Sequence, residues 1–126
     1  MAGERILVVE DNELNMKLFR DVLAATGYRT LEATTGGQAV ALAAEHAPDL
    51  VLMDIQLPDD DGVDALGRLR ADERTAAIPV LAVTAQAMQG DRERFLAAGF
   101  DGYVSKPVNV REFLGTVREQ CVRRVR

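Results

Sequence analysis

Four short runs of apolar residues constrain this chain more than any other feature: Ile6 to Val9, Leu50 to Met53, Val80 to Val83 and the weaker pair Tyr103 and Val104. None of them alternates apolar with polar residues. A strand that is wet on one face must alternate, because successive side chains point to opposite faces. Runs without alternation belong to strands covered on both faces, as in a parallel sheet with helices on each side. A fifth segment, Arg29 to Ala33, is more polar and is expected at an edge.

Between the runs lie segments with helical spacing. The first carries Leu14, Leu18, Val22 and Leu23, and the last carries Val110, Phe113, Leu114, Val117 and Cys121, both read as stripes along one helix face. Thr35 to Glu45 is rich in alanine, a strong helix former, and ends before Pro48. Val63, Leu66 and Leu69 mark a third helix, and Phe95 and Leu96 a fourth. Gly27 and Gly99 stand where helix ends favour a left-handed residue. Strand followed by helix, five times over, predicts an open α/β parallel sheet with right-handed crossovers. For five strands the flavodoxin-like order 2-1-3-4-5, with five helices on both faces, is expected. That order places a ligand site at the carboxyl ends of strands 1 and 3, where it reverses.

At 126 residues the chain is expected to be one domain spanning 1–126. Its 48% hydrophobic and 28% charged content is that of a folded globular chain. One cysteine excludes an internal disulfide framework. The apolar runs are too short for a membrane span or a signal peptide, so no membrane insertion and a cytoplasmic location are expected. A net charge of -5 argues against a nucleic-acid partner, which needs a basic face. Arg123, Arg124 and Arg126 read as a solvated basic helix end. Met1 and an end soon after the last helix fit a complete small protein.

The residues that close the apolar runs carry chemistry. Strand 1 leads into Glu10 and Asp11, strand 3 into Asp54, strand 4 into Thr84, and strand 5 into Ser105, Lys106 and Pro107. Three carboxylates, a hydroxyl and an ammonium thus converge on one crevice. Like charges packed at the end of a buried sheet repel one another and resist desolvation unless a cation balances them. Mg²⁺, with Mn²⁺ as substitute, prefers oxygen ligands and binds through one or two carboxylates plus a phosphate. Asp11 and Asp54 can supply direct oxygens, with Glu10 acting through a water. A phosphoryl group on Asp54 would then meet the metal, Lys106 and Thr84, which suits aspartyl-phosphate chemistry. Ala85 is small enough to leave the acceptor open to a bulky donor.

Weaker readings stand beside these. Glu10 and Asp11 could form an N-cap pair for the first helix. Thr84 could cap the fourth helix, and Tyr103 could be an edge-strand aromatic. Asp59 and Asp60 read as a solvated turn, with Asp61 and Gly62 turning into helix 3. His46 has no second imidazole or thiolate to share a metal with, and Cys121 lies on an apolar stripe, so both read as structural.

The stretches ILVVEDN (Ile6 to Asn12), DLVLMDIQLP (Asp49 to Pro58), Asp61 with Gly62, VTA (Val83 to Ala85) and YVSKP (Tyr103 to Pro107) together resemble response regulator receiver (CheY-like) domains over essentially the whole chain. VEDNELNMKL (Val9 to Leu18) is most similar to the single-domain cell-cycle regulators of the DivK type. The resemblance implies Asp54 as phosphoacceptor and Asp11, Asp54 and the backbone carbonyl of Gln56 as Mg²⁺ ligands, with Glu10 in the water shell. It implies Lys106 and Thr84 as phosphoryl-binding residues, a cis bond before Pro107, and Tyr103 as a switch that remodels the face of helix 4, strand 5 and helix 5. Gln56 and Gln86 are expected to line the path of the hydrolytic water. Implied partners are a histidine kinase or phosphotransfer protein, a downstream regulatory protein and a weak homodimer, with polar recruitment by a kinase.

The expected function is therefore a phosphorylation switch rather than a turnover enzyme, signalling through protein contacts or onward phosphoryl transfer. An alternative context is a receiver excised from a hybrid histidine kinase. An aspartyl-phosphate phosphatase would want its nucleophile after strand 1 and a second acid two residues later, where Gln56 follows Asp54 instead. A flavin carrier would want a phosphate-cradling loop after strand 1, which is absent from the sequence.

Overall fold

Strand pairing in the computed structural model, which describes residues 3–55, 57, 62–84, 91–105 and 109–125, gives a five-stranded parallel sheet of order β2-β1-β3-β4-β5. The strands are β1 (Arg5–Val9), β2 (Arg29–Ala33), β3 (Leu50–Asp54), β4 (Val80–Thr84) and β5 (Gly102–Ser105). The helices are α1 (Glu13–Ala25), α2 (Gly36–His46), α3 (Gly62–Ala71), α4 (Asp91–Ala98) and α5 (Val110–Val125). The expected order and alternation are both observed, and polar β2 is an edge strand.

The apolar runs are continuous because each strand feeds two cores. Ile6, Val8, Leu50, Leu52, Leu81 and Val83 pack on one side with Met16, Phe19 and Leu23 of α1 and Phe113, Val117 and Cys121 of α5. Leu7, Val9, Val51, Met53, Val80 and Ala82 pack on the other side with residues of α2, α3 and α4. The period-two alternation is present, and both of its phases are apolar.

Three strands, β3, β4 and β5, run one residue past their apolar stretch. Asp54 pairs with Val83 and Thr84 with Ser105, so the ladder holds polar residues at its carboxyl rim.

The helix ends follow capping chemistry. Asn12 caps α1 by accepting a hydrogen bond from the Asn15 amide at 3.0 Å, and Thr35 caps α2 through the Gln38 amide at 3.1 Å. Gly27 and Gly99 adopt φ of 97° and 111° just past α1 and α4, the left-handed geometry expected at those places.

The inner face of α1 differs from the expected stripe. Met16, Phe19 and Leu23 are buried, while Leu14 is 78% exposed and Leu18 39% exposed. Val63, Leu96 and Val110 are likewise exposed members of stripes whose neighbours Leu66, Phe95 and Phe113 are buried. In each case the aromatic or the row nearest the sheet decides the rotation of the helix. Phe19 meets Phe113 with ring centroids 5.3 Å apart, joining α1 to α5. Among the described residues, no helix is long and apolar enough to cross a membrane.

Candidate functional site

The switch in strand order between β1 and β3 brings their carboxyl ends together. Val9 pairs with Met53, so Glu10 falls beside Asp54 at the rim. One oxygen from each of Glu10, Asp11 and Asp54 lies within 4.8 Å of the others. Glu10 and Asp54 are 1% and 6% exposed, and Asp11 is exposed.

Backbone contacts hold this cluster in place. The Glu10 amide donates to the Ala33 carbonyl at 3.0 Å, and the Ile55 amide donates to the Val83 carbonyl at 3.0 Å. Glu10 Oε2 accepts from the Asn12 amide at 3.1 Å, tying the buried acid to the entry of α1. The helix cap itself is Asn12, so Glu10 and Asp11 are not spent on capping. The order of polarity in this loop explains the division: Asn is a strong N-cap, and it leaves the two acids before it to face the rim.

Two buried carboxylates beside a third need a compensating charge. The donor set is oxygen only and anionic, which fits a hard divalent cation such as Mg²⁺ and disfavours a soft metal that selects thiolate or imidazole.

The remaining expected site residues divide into two groups. Thr84 closes β4 half-buried, one residue beyond the partner of Asp54. Tyr103 is half-buried in β5, its ring 5.9 Å from that of Phe95 in α4. Tyr103 also lines a groove of about 380 Å³ bordered by Ser105, Asn109 and Glu112. Gln56, Asp59, Asp60, Asp61, Ala85, Gln86, Lys106 and Pro107 lie outside the described residues, as do the side chains of Arg123, Arg124 and Arg126. His46 ends α2, its imidazole 3.6 Å from Glu45, and Cys121 is buried on α5; neither belongs to the acidic cluster.

Sequence reasoning passed over Asn12, whose side chain and amide organise the loop that carries two of the three acids. An Asn just before a helical segment was the signal available for it.

The chain is similar to known proteins along most of its length. Residues 6–118 match the family model of the response regulator receiver domain. The chain is 51% identical over 113 residues to the polar-differentiation response regulator DivK of Brucella ovis, covering 90% of this chain and 92% of that protein. DivK of Brucella anthropi is 50% identical over the same length. Among solved structures, the receiver domain of the sensor histidine kinase PA1611 from Pseudomonas aeruginosa, described with a magnesium ion coordinated in its active site cleft, superposes with a TM-score of 0.87. It is 39% identical, with 95% of this chain and 98% of that one covered. The Vibrio cholerae chemotaxis protein CheY4 shares the fold, with a TM-score of 0.86 at 24% identity over 94% of this chain and 98% of that one. With an acidic triad at the switch point of a 2-1-3-4-5 sheet and these relatives along nearly its whole length, the chain belongs to the response regulator receiver domains of two-component signalling.

Proposed function

We propose that this chain, as a single receiver domain over 1–126, is a Mg²⁺-dependent switch that accepts a phosphoryl group on Asp54 from the phosphohistidine of a histidine kinase or phosphotransfer protein. The observation that carries this reading is the meeting of Glu10, Asp11 and Asp54 oxygens within 4.8 Å at the carboxyl rim of β1 and β3. Glu10, Asp11, Asp54 and the Gln56 carbonyl would hold Mg²⁺ or Mn²⁺. When bound, the cation supplies neutralisation of the three carboxylates and of the incoming phosphoryl oxygens.

An Asp54 carboxylate oxygen attacks phosphorus, and the new P–O bond forms as the P–N bond to the donor imidazole breaks. The leaving imidazole keeps the electron pair. Such a transfer needs alignment and charge neutralisation more than covalent assistance. Asp54 is buried at the rim, the Thr84 hydroxyl donates to a phosphoryl oxygen, and the Lys106 ammonium balances another. Small Ala85 leaves the approach open.

Tyr103 turns inward in the phosphorylated state and reshapes the surface of α4, β5 and α5, changing affinity for a downstream regulatory protein. Its half-buried ring, in contact with Phe95 and lining the groove beside α5, supports this role. Binding partners then shift the equilibrium by their preference for one state. The 51% identity to DivK supports a place in cytoplasmic polar-differentiation or cell-cycle signalling with recruitment by a kinase at the pole. The 39% identity to a histidine-kinase receiver supports a second context, a receiver within a hybrid kinase, with the same chemistry at Asp54. The length of the native protein on an immunoblot separates the two.

Incubation with acetyl phosphate or a phosphorylated histidine kinase and Mg²⁺ tests the central claim. Wild-type protein should take up label that Asp54→Asn does not. An unlabelled wild type, or equal labelling of the variant, would overturn it.

A further inference from the structure

The first residue of α3 is buried against the strand that carries Asp54. Gly62 donates its amide to the Ile55 carbonyl at 2.8 Å, which draws the start of the helix onto the end of β3. A Cβ at Gly62 would stand 2.6 Å from the Asp54 carbonyl oxygen, 3.0 Å from Ile55 Cα and 3.2 Å from Met53 Cγ. The two nearest of these atoms are backbone. They cannot rotate aside, and β3 is held on both flanks by its ladders with β1 and β4. Gly62 stands at the helical start of α3, and what the close approach demands of it is space.

We infer that Gly62 is a positioning residue for Asp54: the missing side chain lets α3 seat directly on the backbone of the acceptor and so sets where its carboxylate stands relative to Glu10 and Asp11. The inference rests on the reading of the acidic cluster as a Mg²⁺ and phosphoryl site. With alanine at 62, either the helix backs away or the Asp54 peptide shifts. Both break the match between three carboxylates drawn from two strand ends. A metal site is sensitive to such a shift, because the groups that orient its ligands govern affinity nearly as strongly as the ligands do.

Gly67 provides the matched comparison. It lies in the same helix, and a Cβ there would meet nothing within 4 Å. Gly67→Ala should raise the melting temperature, since alanine is the better helix former, and should leave Mg²⁺ affinity within about twofold because the position is remote from the site.

The test is calorimetric titration of Mg²⁺ alone into wild type, Gly62→Ala and Gly67→Ala, with circular dichroism to establish folding and acetyl phosphate labelling as a second readout. Gly62→Ala should weaken Mg²⁺ binding by about tenfold or more while retaining its helical spectrum, and should label more slowly. Should the single variant fold poorly, Gly62→Ala is repeated in a Gly67→Ala, Gly115→Ala background, Gly115 being likewise open. A folded Gly62→Ala with Mg²⁺ affinity within about twofold of wild type would overturn the inference while leaving the function of Asp54 standing. Failure to fold even in the stabilised background would overturn it too, because the glycine would then serve folding and not Asp54. Wild-type protein that binds no Mg²⁺ would sink both this inference and the proposed function.

Discussion

The Cys121 thiol is 2% exposed on the inner face of α5, and its pKa is pushed from 9.0 to about 11, by burial first and then by the carboxylates of Glu4 and Asp49. Burial likewise raises the Tyr28 phenol, and Cys121 adds to the effect. A group that is neutral when protonated and has a raised folded pKa favours the native state fully below its unfolded pKa. That contribution is lost as pH climbs through the folded value. Stability should therefore fall between about pH 9 and 11, with the thiol accounting for about 2–3 kcal/mol of the decline. Melting curves across this range should show a shallower decline in Cys121→Ala, and an equal decline would refute the assignment. Reading Cys121 as structural was possible from its place among apolar residues. Glu10, Asp11 and Asp54 were legible for a different reason, since the ends of non-alternating runs name the rim of a parallel sheet. Gly62 was legible only as a turn, because sequence does not distinguish a glycine needed for close approach from one needed for φ.

At the scale of elements, strand identity was legible and helix rotation was not. Arg29 to Ala33 is found with the expected bounds, and the end of α1 falls just before Gly27. The buried side of α1, however, depends on what it packs against. Leu14 and Leu18 form one row, Met16, Phe19 and Leu23 another, and both are apolar enough to satisfy a periodicity. The aromatic contact between Phe19 and Phe113 settles which row turns inward. Phe19→Ala should cost about 3–5 kcal/mol, the usual loss for a buried aromatic. Leu14→Ala, at 78% exposure, should stay within about 0.5 kcal/mol. Denaturant melts of the two variants check this, and a larger loss at Leu14 would mean that α1 sits rotated from the position described.

Across the whole molecule the two ends of the sheet do opposite work. At the amino end of β4 and β5, Arg70 from the last turn of α3 donates to the carbonyls of Ala76 at 3.0 Å, Ile78 at 2.6 Å and Gly99 at 3.1 Å, and to Asp101 Oδ2 at 3.0 Å. The same Asp101 oxygen accepts from the Val80 amide at 2.8 Å, so one guanidinium bolts α3, the end of α4 and the starts of two strands together. The carboxyl end instead gathers three acids in a protein whose net charge is already -5. The Arg70 network joins elements at one end of the sheet and the three carboxylates meet at the other, so a cation held by the acids is expected to act at the second. Mg²⁺ at about one hundred times its Kd should add about 2.7 kcal/mol by mass action. For a domain of this size that is a rise in melting temperature of roughly 10 °C. Sodium chloride at matched ionic strength separates binding from screening, since it relieves general repulsion without occupying the cluster. Asp11→Asn should lose most of the Mg²⁺-specific rise. Arg70→Met should start lower by about 2–3 kcal/mol, the scale of lost charge-assisted hydrogen bonds, yet keep the full rise. If Arg70→Met instead abolished the Mg²⁺ response, the two ends would be coupled through the sheet, and their division of labour would be wrong.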